Sequence, residues 1–287
     1  MTRVAFIGLG NMGSGMAANQ VKAGREVVAF DLNAEAMARA KAQGMSGADS
    51  APEAVKDSDI VITMLPAGQH VSSVYLDAVL PNARKDALLI DCSTIDVDSA
   101  RTVARDASMQ GFRAADAPVS GGTAAASGGT LTFMVGCREQ DFAEFDAALK
   151  PMAKAVIHAG ASGAGQAAKI CNNMLLGISM IGTCEAFVLA ERLGLDAQKF
   201  FDIASNASGQ CWSLTSYCPW PGPVPAAPSN RGYEGGFAAA MMLKDLKLAQ
   251  DAAEMAGAPT PLGGAAEALF DEFVQRGGAA RDFSGII

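Results

Sequence analysis

The chain has 287 residues, half of them hydrophobic and 18% charged, with a formal net charge of −8 at pH 7. This composition excludes a disordered chain and argues against a nucleic-acid-binding protein, which needs a basic surface. Two domains are expected at this length. Any anionic ligand has to be met by local cations, helix N-termini or backbone N–H groups.

The N-terminal residues carry the fingerprint of a dinucleotide-binding fold. A buried-strand pattern leads directly into Gly8-Leu-Gly-Asn-Met-Gly13, a helical stretch follows, and a second strand ends in Asp31. In this context the first glycine permits a tight turn, the second lets a pyrophosphate approach the backbone, and the third allows helix and strand to pack closely. We therefore predict cofactor contacts from Gly8, Gly10, Asn11, Met12 and Gly13.

Asp31 bears on the choice of cofactor. A carboxylate in this position accepts hydrogen bonds from ribose hydroxyls and repels a 2′-phosphate. No arginine follows at position 32 or 33. The pattern predicts NAD rather than NADP. The alternative is that Asp31 merely begins a turn with Leu32 and Asn33.

Strand and helix patterns alternate through the rest of the first half, which indicates an α/β domain with a mainly parallel sheet. Ligands of such sheets bind at the carboxyl ends of the strands. The Leu65-Pro66 and Ser93-Thr94 turns are therefore candidates for the cofactor rim, although ordinary loop chemistry also explains them. The expected strands cover 3–8, 26–31, 59–65, 87–91, 112–117 and 130–135, and the expected helices cover 14–23, 69–80 and 97–109.

A turn running from Asp116 to Thr123 differs from the others in its chemistry. Ser120 offers a hydroxyl, and Gly121 and Gly122 expose consecutive N–H groups at an expected helix start. This combination suits an anion such as a substrate carboxylate. An ordinary glycine turn with a capping serine is the alternative.

The stretch 161–192 predicts an apolar helix of about 28 residues, roughly 42 Å long, that is buried on most sides. Three polar residues interrupt it: Lys169, Asn172 and Asn173. Lys169 and Asn173 share a face because they are four residues apart. Burial lowers the pKa of a lysine, so an amine beside an amide could donate and accept protons. A lysine that extends to solvent from the helix start is the alternative.

The remainder of the chain is expected to be helical, apart from a proline-rich loop over 218–232. Within 236–256, Lys244 is a possible anion contact, and a solvated lysine is the alternative. The apolar face of that helix is expected to comprise Phe237, Met241, Leu248, Ala252 and Met255.

Cysteine and histidine residues give no sign of a metal site. The six cysteines form no C-x-x-C pair, and no Cys/His spacing is typical of zinc. A reduced cytoplasmic state is the simpler interpretation. No signal peptide or membrane span is expected, since polar residues interrupt the long helix. His70 and His158 are expected to be structural or peripheral.

Eight motifs occur in order along the chain: Gly8-Leu-Gly-Asn-Met-Gly13, Asp91-Cys-Ser-Thr-Ile95, Asp116-Ala-Pro-Val-Ser-Gly-Gly122, Gly129-Thr-Leu-Thr-Phe-Met-Val-Gly136, Gly163-Ala-Gly-Gln-Ala-Ala-Lys-Ile-Cys-Asn-Asn173, Pro219-Trp-Pro-Gly222, Lys244-Asp-Leu246 and Asp282-Phe-Ser284. Taken together, these motifs resemble the β-hydroxyacid dehydrogenase family along essentially the whole chain. Small departures are Cys137, where a second glycine is usual, and Ser14-Gly15.

The resemblance implies a Rossmann-type NAD-binding domain over 1–162, then a long interdomain helix and an all-helical C-terminal domain over 163–287. It implies a small hydroxy-acid substrate, a homodimer or homotetramer formed through the helical domain, and no nucleic-acid or membrane partner. It further implies that Lys169 is the catalytic residue and that Asn173, beside it, holds the substrate hydroxyl. The substrate carboxylate would be bound by Ser120, Gly121 and Gly122. Leu65 and Pro66 would lie along the cofactor, and Thr94 and Lys244 would lie near the nicotinamide and substrate.

Two other interpretations stay open. A sister enzyme acting on another short hydroxy acid would share every motif above. A dinucleotide-binding interaction protein without catalysis is the alternative of a different class, although such a protein would be expected to have lost Lys169. The related phosphogluconate dehydrogenases are much longer, and this chain has no room for their extra helical domain.

Overall fold

The computed structural model describes all 287 residues. The chain divides into two compact units, Met1–Lys169 and Ile170–Ile287. The first is an α/β unit and the second is helical, which confirms the expected fold class. The units divide within one long helix, a few residues beyond the boundary that the sequence predicts.

A nine-stranded sheet forms the centre of the first unit. The strands are β1 (Arg3–Ile7), β2 (Glu26–Phe30), β3 (Ser46–Gly47), β4 (Ile60–Thr63), β5 (Leu88–Asp91), β6 (Arg113–Asp116), β7 (Val119–Ser120), β8 (Leu131–Gly136) and β9 (Ala153–Gly160). Their order in the sheet is β3-β2-β1-β4-β5-β6-β8-β7, with β9 also paired to β8. The first six strands in this order pair in parallel, in the order typical of a Rossmann fold.

Successive residues of the central strands point into two separate cores. In β1, Val4 and Phe6 pack into one apolar cluster, whereas Ala5 and Ile7 pack into the other. A strand buried on both faces reads as a continuous apolar run, which explains the sequence pattern. Helices cover both faces: α1 (Gly13–Lys22), α2 (Ala34–Ala42), α3 (Ala51–Val55), α4 (Gly68–Val74), α5 (Leu80–Asn82), α6 (Val97–Met109), α7 (Gly122–Gly128) and α8 (Phe142–Leu149).

The second unit is built from helices alone. Helix α9 (Ala164–Arg192) begins in the first unit and continues into the second, where Met180 and Cys184 pack with Met242, Leu246 and Phe270. The remaining helices are α10 (Ala197–Ala204), α11 (Trp212–Thr215), α12 (Ala239–Ala256) and α13 (Pro261–Phe273).

Two expectations for these helices are wrong. Helix α9 is not buried on most sides, because Leu175 and Leu189 are 63% and 60% exposed. In α12 the buried face contains Met242, Asp245 and Leu246, while Met241 and Met255 are exposed. Helix α12 is apolar around much of its circumference, so packing against its neighbours, not periodicity, selects the inward face.

By length and hydropathy alone, α9 could cross a membrane, and 39% of its most apolar window is buried in the structure. Core helices of soluble proteins share this length and hydropathy, so they do not by themselves indicate a membrane span.

Candidate active site

The glycine loop after β1 is closely packed at Gly8 and Gly13 and open at Gly10. Gly8 has a φ of +96°, and a Cβ on it would lie 2.3 Å from the Met64 carbonyl oxygen. A Cβ on Gly13 would lie 2.0 Å from the Gly8 oxygen, whereas Gly10 is exposed and faces open space. No side chain caps the N-terminus of α1 at Met12. Its N–H groups therefore remain suited to a pyrophosphate.

Asp31 lies at the carboxyl end of β2 and holds two backbone segments together. Its Oδ2 accepts a hydrogen bond of 2.6 Å from the Leu9 N–H, and its Oδ1 accepts one of 2.7 Å from the Asn33 N–H. The Asn33 contact shows that the turn considered from the sequence does form. A carboxylate has about four acceptor sites, so these two bonds leave capacity for ribose hydroxyls.

Asp91, the last residue of β5, organises the two turns expected at the cofactor rim. Its Oδ1 accepts hydrogen bonds from the Thr63 hydroxyl at 2.7 Å and the Ser93 hydroxyl at 2.6 Å. The Ser93 Oγ in turn accepts the Leu65 N–H at 2.8 Å. The Leu65-Pro66 and Ser93-Thr94 turns are thus joined through Ser93.

The electrostatics of Asp91 are set by burial. Burial raises the pKa of this carboxyl from 3.8 to about 6, and the hydrogen bonds from Ser93 and Thr63 only partly oppose that effect. Its Oδ2 has no hydrogen-bond partner. A water-sized cavity of about 10 Å³ lies among Tyr75, Asp91 and Asp116. Burial also raises the pKa of Asp116, the residue paired with Asp91 in the neighbouring strand.

Asp116 connects the expected carboxylate-binding turn to the start of α9. Its Oδ1 accepts the Gly163 N–H at 2.6 Å, and its Oδ2 accepts the Gln166 N–H at 2.9 Å. The turn continues through Ser120 in β7 to Gly121 and Gly122, whose φ angles are +134° and +70°. Both values favour glycine. A Cβ on Gly122 would meet no atom within 4 Å, so space remains beside its N–H.

Lys169 lies in the second turn of α9 and is only 7% exposed. This burial argues against the alternative of a lysine that extends to solvent. The start of the helix is fixed from two sides, by Asp116 at its backbone and by Gln166, whose amide binds the backbone of Ser93 and Ile95. The lysine is therefore held by the same residues that hold the turn carrying Thr94.

Asn173 follows Lys169 by four residues on the same helix and belongs to the second unit. It is 2% exposed, and its Nδ2 donates a hydrogen bond of 2.5 Å to Asp245 Oδ2. Its Oδ1 accepts the Asn172 amide at 3.0 Å. Lys244 Nζ forms an ion pair with Asp245 Oδ1 at a distance of 3.4 Å. That oxygen accepts no hydrogen bond of normal geometry. Lys244 is thus half-buried and ion-paired, not a freely solvated lysine.

Comparison with known proteins shows which family the chain belongs to. Residues 3–160 match the family of the NAD-binding domain of 6-phosphogluconate dehydrogenase, and residues 163–287 match the NAD-binding family of NADP-dependent 3-hydroxyisobutyrate dehydrogenase. A 3-hydroxyisobutyrate dehydrogenase of Pseudomonas aeruginosa is 49% identical over 96% of this chain and 93% of its own length. The chain belongs to the β-hydroxyacid dehydrogenase family.

Other relatives widen the range of substrates within the family. An NAD-dependent L-serine dehydrogenase of P. aeruginosa is 46% identical and covers 99% of this chain and 96% of itself. A solved Mycobacterium tuberculosis 3-hydroxyisobutyrate dehydrogenase with L-serine has a TM-score of 0.96 and 49% identity, covering 100% of this chain and 98% of that one. This β-hydroxyacid dehydrogenase is accordingly an NAD(P)-dependent enzyme acting on a hydroxy acid.

Neither histidine of this β-hydroxyacid dehydrogenase takes part in the hydrogen bonds of Asp91, Asp116 or Asp245 described above. His158 lies in β9, where its Nε2 is 3.0 Å from the Cys137 carbonyl oxygen and its ring lies 4.9 Å from that of Phe142. His70 is exposed on α4. All six cysteines are free thiols, and no group of three or more His, Cys, Asp or Glu side chains is arranged to hold a metal ion.

Sequence reasoning did not assign roles to four buried residues that organise the site: Asp91, Asp116, Gln166 and Asp245. Asp91 and Asp116 each end a strand pattern in a carboxylate, and Gln166 is a polar residue in the first turn of an apolar helix. The sequence pattern thus marks these residues as unusual, but it does not identify the residues with which they form hydrogen bonds.

Proposed function

We propose that the enzyme oxidises 3-hydroxyisobutyrate to methylmalonate semialdehyde with NAD, a reaction of valine catabolism. The observation that carries the proposal is the buried Lys169, fixed at the start of α9 and followed one turn later by Asn173. The full-length similarity to enzymes named for this substrate supports it.

In the proposed reaction, Lys169 accepts the proton of the substrate hydroxyl as a neutral amine and returns it in the reverse direction. Burial favours the neutral form of an amine, because the charged form loses hydration. NAD, when bound, supplies the acceptor for the hydride that leaves the hydroxyl-bearing carbon. General base catalysis of this kind contributes about 10²–10⁴-fold to the rate.

Asn173 is suited to hold the substrate hydroxyl oxygen. An amide nitrogen is a hydrogen-bond donor, and Asn173 lies one helical turn after Lys169 on α9, where Asp245 holds its Nδ2 atom. At the other end of the substrate, the Ser120 hydroxyl and the N–H groups of Gly121 and Gly122 are proposed to bind the carboxylate. Lys244 is proposed as a further cationic contact to substrate or cofactor.

The preference for NAD over NADP rests on Asp31. Its carboxylate would lie beside a 2′-phosphate and repel it, and the neighbouring Leu32 offers no positive charge. The residues proposed to complete the cofactor site are Gly8, Gly10, Asn11, Met12, Gly13, Leu65, Pro66 and Thr94.

A second candidate is oxidation of another short β-hydroxy acid. The relative named as an L-serine dehydrogenase favours serine, which has a carboxylate and a β-hydroxyl like the first candidate. Reduction of tartronate semialdehyde is a further possibility within the same chemistry. Neither candidate changes the proposed role of any residue above.

The test is a comparison of kcat/KM for 3-hydroxyisobutyrate, L-serine and D-glycerate, each with NAD and NADP. The proposal predicts that 3-hydroxyisobutyrate with NAD gives the highest value. A preference of tenfold or more for serine or glycerate would replace the proposed substrate. Cofactor binding without turnover of any hydroxy acid would favour the non-catalytic alternative.

We also propose a cytoplasmic homodimer or homotetramer that assembles through the second unit. Eleven of the sixteen exposed large hydrophobic side chains lie there, including Leu175, Leu189 and Leu193 on or next to α9. Contiguous exposed apolar surface is typical of an interaction site, and most soluble oligomers are symmetric assemblies of one chain.

A further inference from the structure

Gln166 is completely buried, and its amide binds the backbone on both sides of Thr94. The Oε1 atom accepts a hydrogen bond of 3.1 Å from the Ile95 N–H, and the Nε2 atom donates one of 2.8 Å to the Ser93 carbonyl oxygen. A carbonyl oxygen can only accept and an amide nitrogen can only donate, so the two partners fix the orientation of the side chain. Thr94 is held between these two bonds.

The same glutamine is fixed at its own backbone. Its N–H donates to Asp116 Oδ2 at 2.9 Å, and Asp116 also holds Gly163 at the helix start. On the other side, Ser93 is bound to Asp91 and to the Leu65 N–H. One continuous chain of hydrogen bonds therefore runs from the Leu65 turn through the Ser93-Thr94 turn to the first turn of α9.

We propose that Gln166 is a positioning residue that sets the Lys169 amine against the turn carrying Thr94. This inference rests on the proposed function, in which Lys169 handles the proton and Thr94 lies near the nicotinamide. Lys169 follows Gln166 by three residues, so less than one helical turn separates them. Proton and hydride transfer both need reacting atoms about 3–3.5 Å apart, and a misplacement of about 1 Å can cost about 10²-fold in rate.

A buried glutamine can also be purely structural, and the chain offers a matched example. Gln20 in α1 is likewise completely buried, and its Nε2 donates to the Ala148 carbonyl oxygen at 3.2 Å. Its other partner is Arg25, so its bonds connect α1 to α8 and not to either cofactor-rim turn. Gln20→Met thus removes a buried amide of the same unit without loosening the Thr94 turn.

The experiment compares wild type with Gln166→Met, Gln166→Glu, Gln20→Met and Lys169→Ala. Five properties are measured: kcat on the hydroxy-acid substrate, NADH affinity, thermal stability, hydrogen exchange at the Ile95 amide, and the isotope effect with substrate deuterated at the hydroxyl-bearing carbon. For Gln166→Met we expect kcat to fall about 10–100-fold. NADH affinity should stay within about threefold of wild type, exchange at Ile95 should accelerate, and the isotope effect on kcat should rise.

Gln166→Glu provides the conservative test. A protonated glutamic acid reproduces both bonds, because its hydroxyl can donate to the Ser93 oxygen while its carbonyl accepts from Ile95. An ionised glutamate cannot donate, and it also adds charge beside Asp116. Activity of this variant relative to wild type should therefore decline as the pH rises, a dependence that Gln166→Met should lack.

The outcomes separate this inference from the proposed function. An unchanged kcat in Gln166→Met, with Lys169→Ala inactive, would overturn the inference alone. The positioning role of Gln166 would also be refuted if Gln166→Met and Gln20→Met showed the same losses of kcat, NADH affinity and thermal stability. Such a result would indicate a purely structural role. Full turnover by Lys169→Ala would instead refute the proposed role of the lysine, and with it the role of Gln166 in placing that amine.

Discussion

Asn173 and Asp245 form a buried hydrogen bond of 2.5 Å that determines which way the Asn173 amide faces. An ionised carboxylate only accepts hydrogen bonds, so the Nδ2 atom must point at Asp245 and the Oδ1 atom at Asn172. The buried aspartate thereby holds the amide in one orientation, one helical turn after Lys169 along α9.

The first prediction concerns this pair. Asp245→Asn keeps the shape of the side chain but removes the charge that Lys244 and Asn173 both contact. The Asn173 amide then loses the partner that fixes its orientation, and a misplacement of about 1 Å can cost about 10²-fold in rate, so we expect kcat to fall at least about tenfold. Asp271→Asn is the control, since Asp271 forms an exposed ion pair with Lys247. Equal activity of the two variants would show that Asp245 does not orient Asn173.

The second prediction concerns cofactor choice. Replacing Asp31 by Ser together with Leu32→Arg removes the repulsive carboxylate and supplies a cation for a 2′-phosphate. We expect NADH to bind about tenfold or more weakly and NADPH to bind more tightly than in wild type, as measured by fluorescence titration. Asp31→Asn separates the effect of the charge from that of the loop structure. The amide oxygen of this variant can still accept a hydrogen bond from the N–H of Leu9 or Asn33, but the negative charge is gone. No gain in NADPH affinity in the double variant would contradict the assignment of Asp31.

The third prediction concerns pH and stability. The pKa of Asp91 is about 6 in the folded chain, above the ordinary value of 3.8. The folded state therefore binds this proton more tightly than the unfolded state. The resulting stabilisation is fully present below about pH 4 and is lost as the pH rises through about 6, a change of the order of 2–3 kcal/mol.

Asp91→Asn does not titrate, and its amide can still accept from Thr63 and Ser93. The Tm of this variant relative to wild type should therefore increase between pH 4 and pH 7, as measured by scanning calorimetry. Asp77→Asn, at an exposed aspartate of the same unit, should show no such trend. A Tm difference for Asp91→Asn that stays constant with pH would contradict the assigned pKa.

The fourth prediction concerns assembly. Leu189→Glu places a charge on the exposed apolar side of α9, where Leu189 is 60% exposed. We expect a smaller mass than wild type by size-exclusion chromatography with light scattering, because burying an unpaired charge is costly. Met109→Glu, at a 73% exposed side chain of the first unit, should leave the mass unchanged. An unaltered mass for Leu189→Glu would exclude this side of α9 from the interface.

Sequence reasoning recovered the features that depend on residues close together along the chain. The strand, glycine turn, helix and Asp31 occur in one local run, so the order and spacing of the first elements were correct. The span of α9 was also predicted closely, since a glycine-rich lead-in and Gly194 bound a continuous helical pattern.

Features that depend on packing between distant segments could not be predicted. The inward face of α12 is chosen by its neighbours, which is why Asp245 proved buried and Met241 exposed. The bonds of Gln166 to Ser93 and Ile95 span more than 70 residues of sequence. No periodicity specifies such a partner, although an isolated buried polar residue signals that one exists.

Replacement of Lys169 is the decisive experiment on the proposed proton transfer. Initial rates of NAD reduction with 3-hydroxyisobutyrate should be compared for wild type, Lys169→Ala and Lys154→Ala, the last at an exposed lysine of β9. Lys169→Ala should lose about 10²–10⁴-fold in kcat while its NADH affinity and Tm remain close to wild type. Lys154→Ala should be unaffected. Turnover that survives in Lys169→Ala would refute the catalytic role of Lys169 and assign the proton transfer to another group.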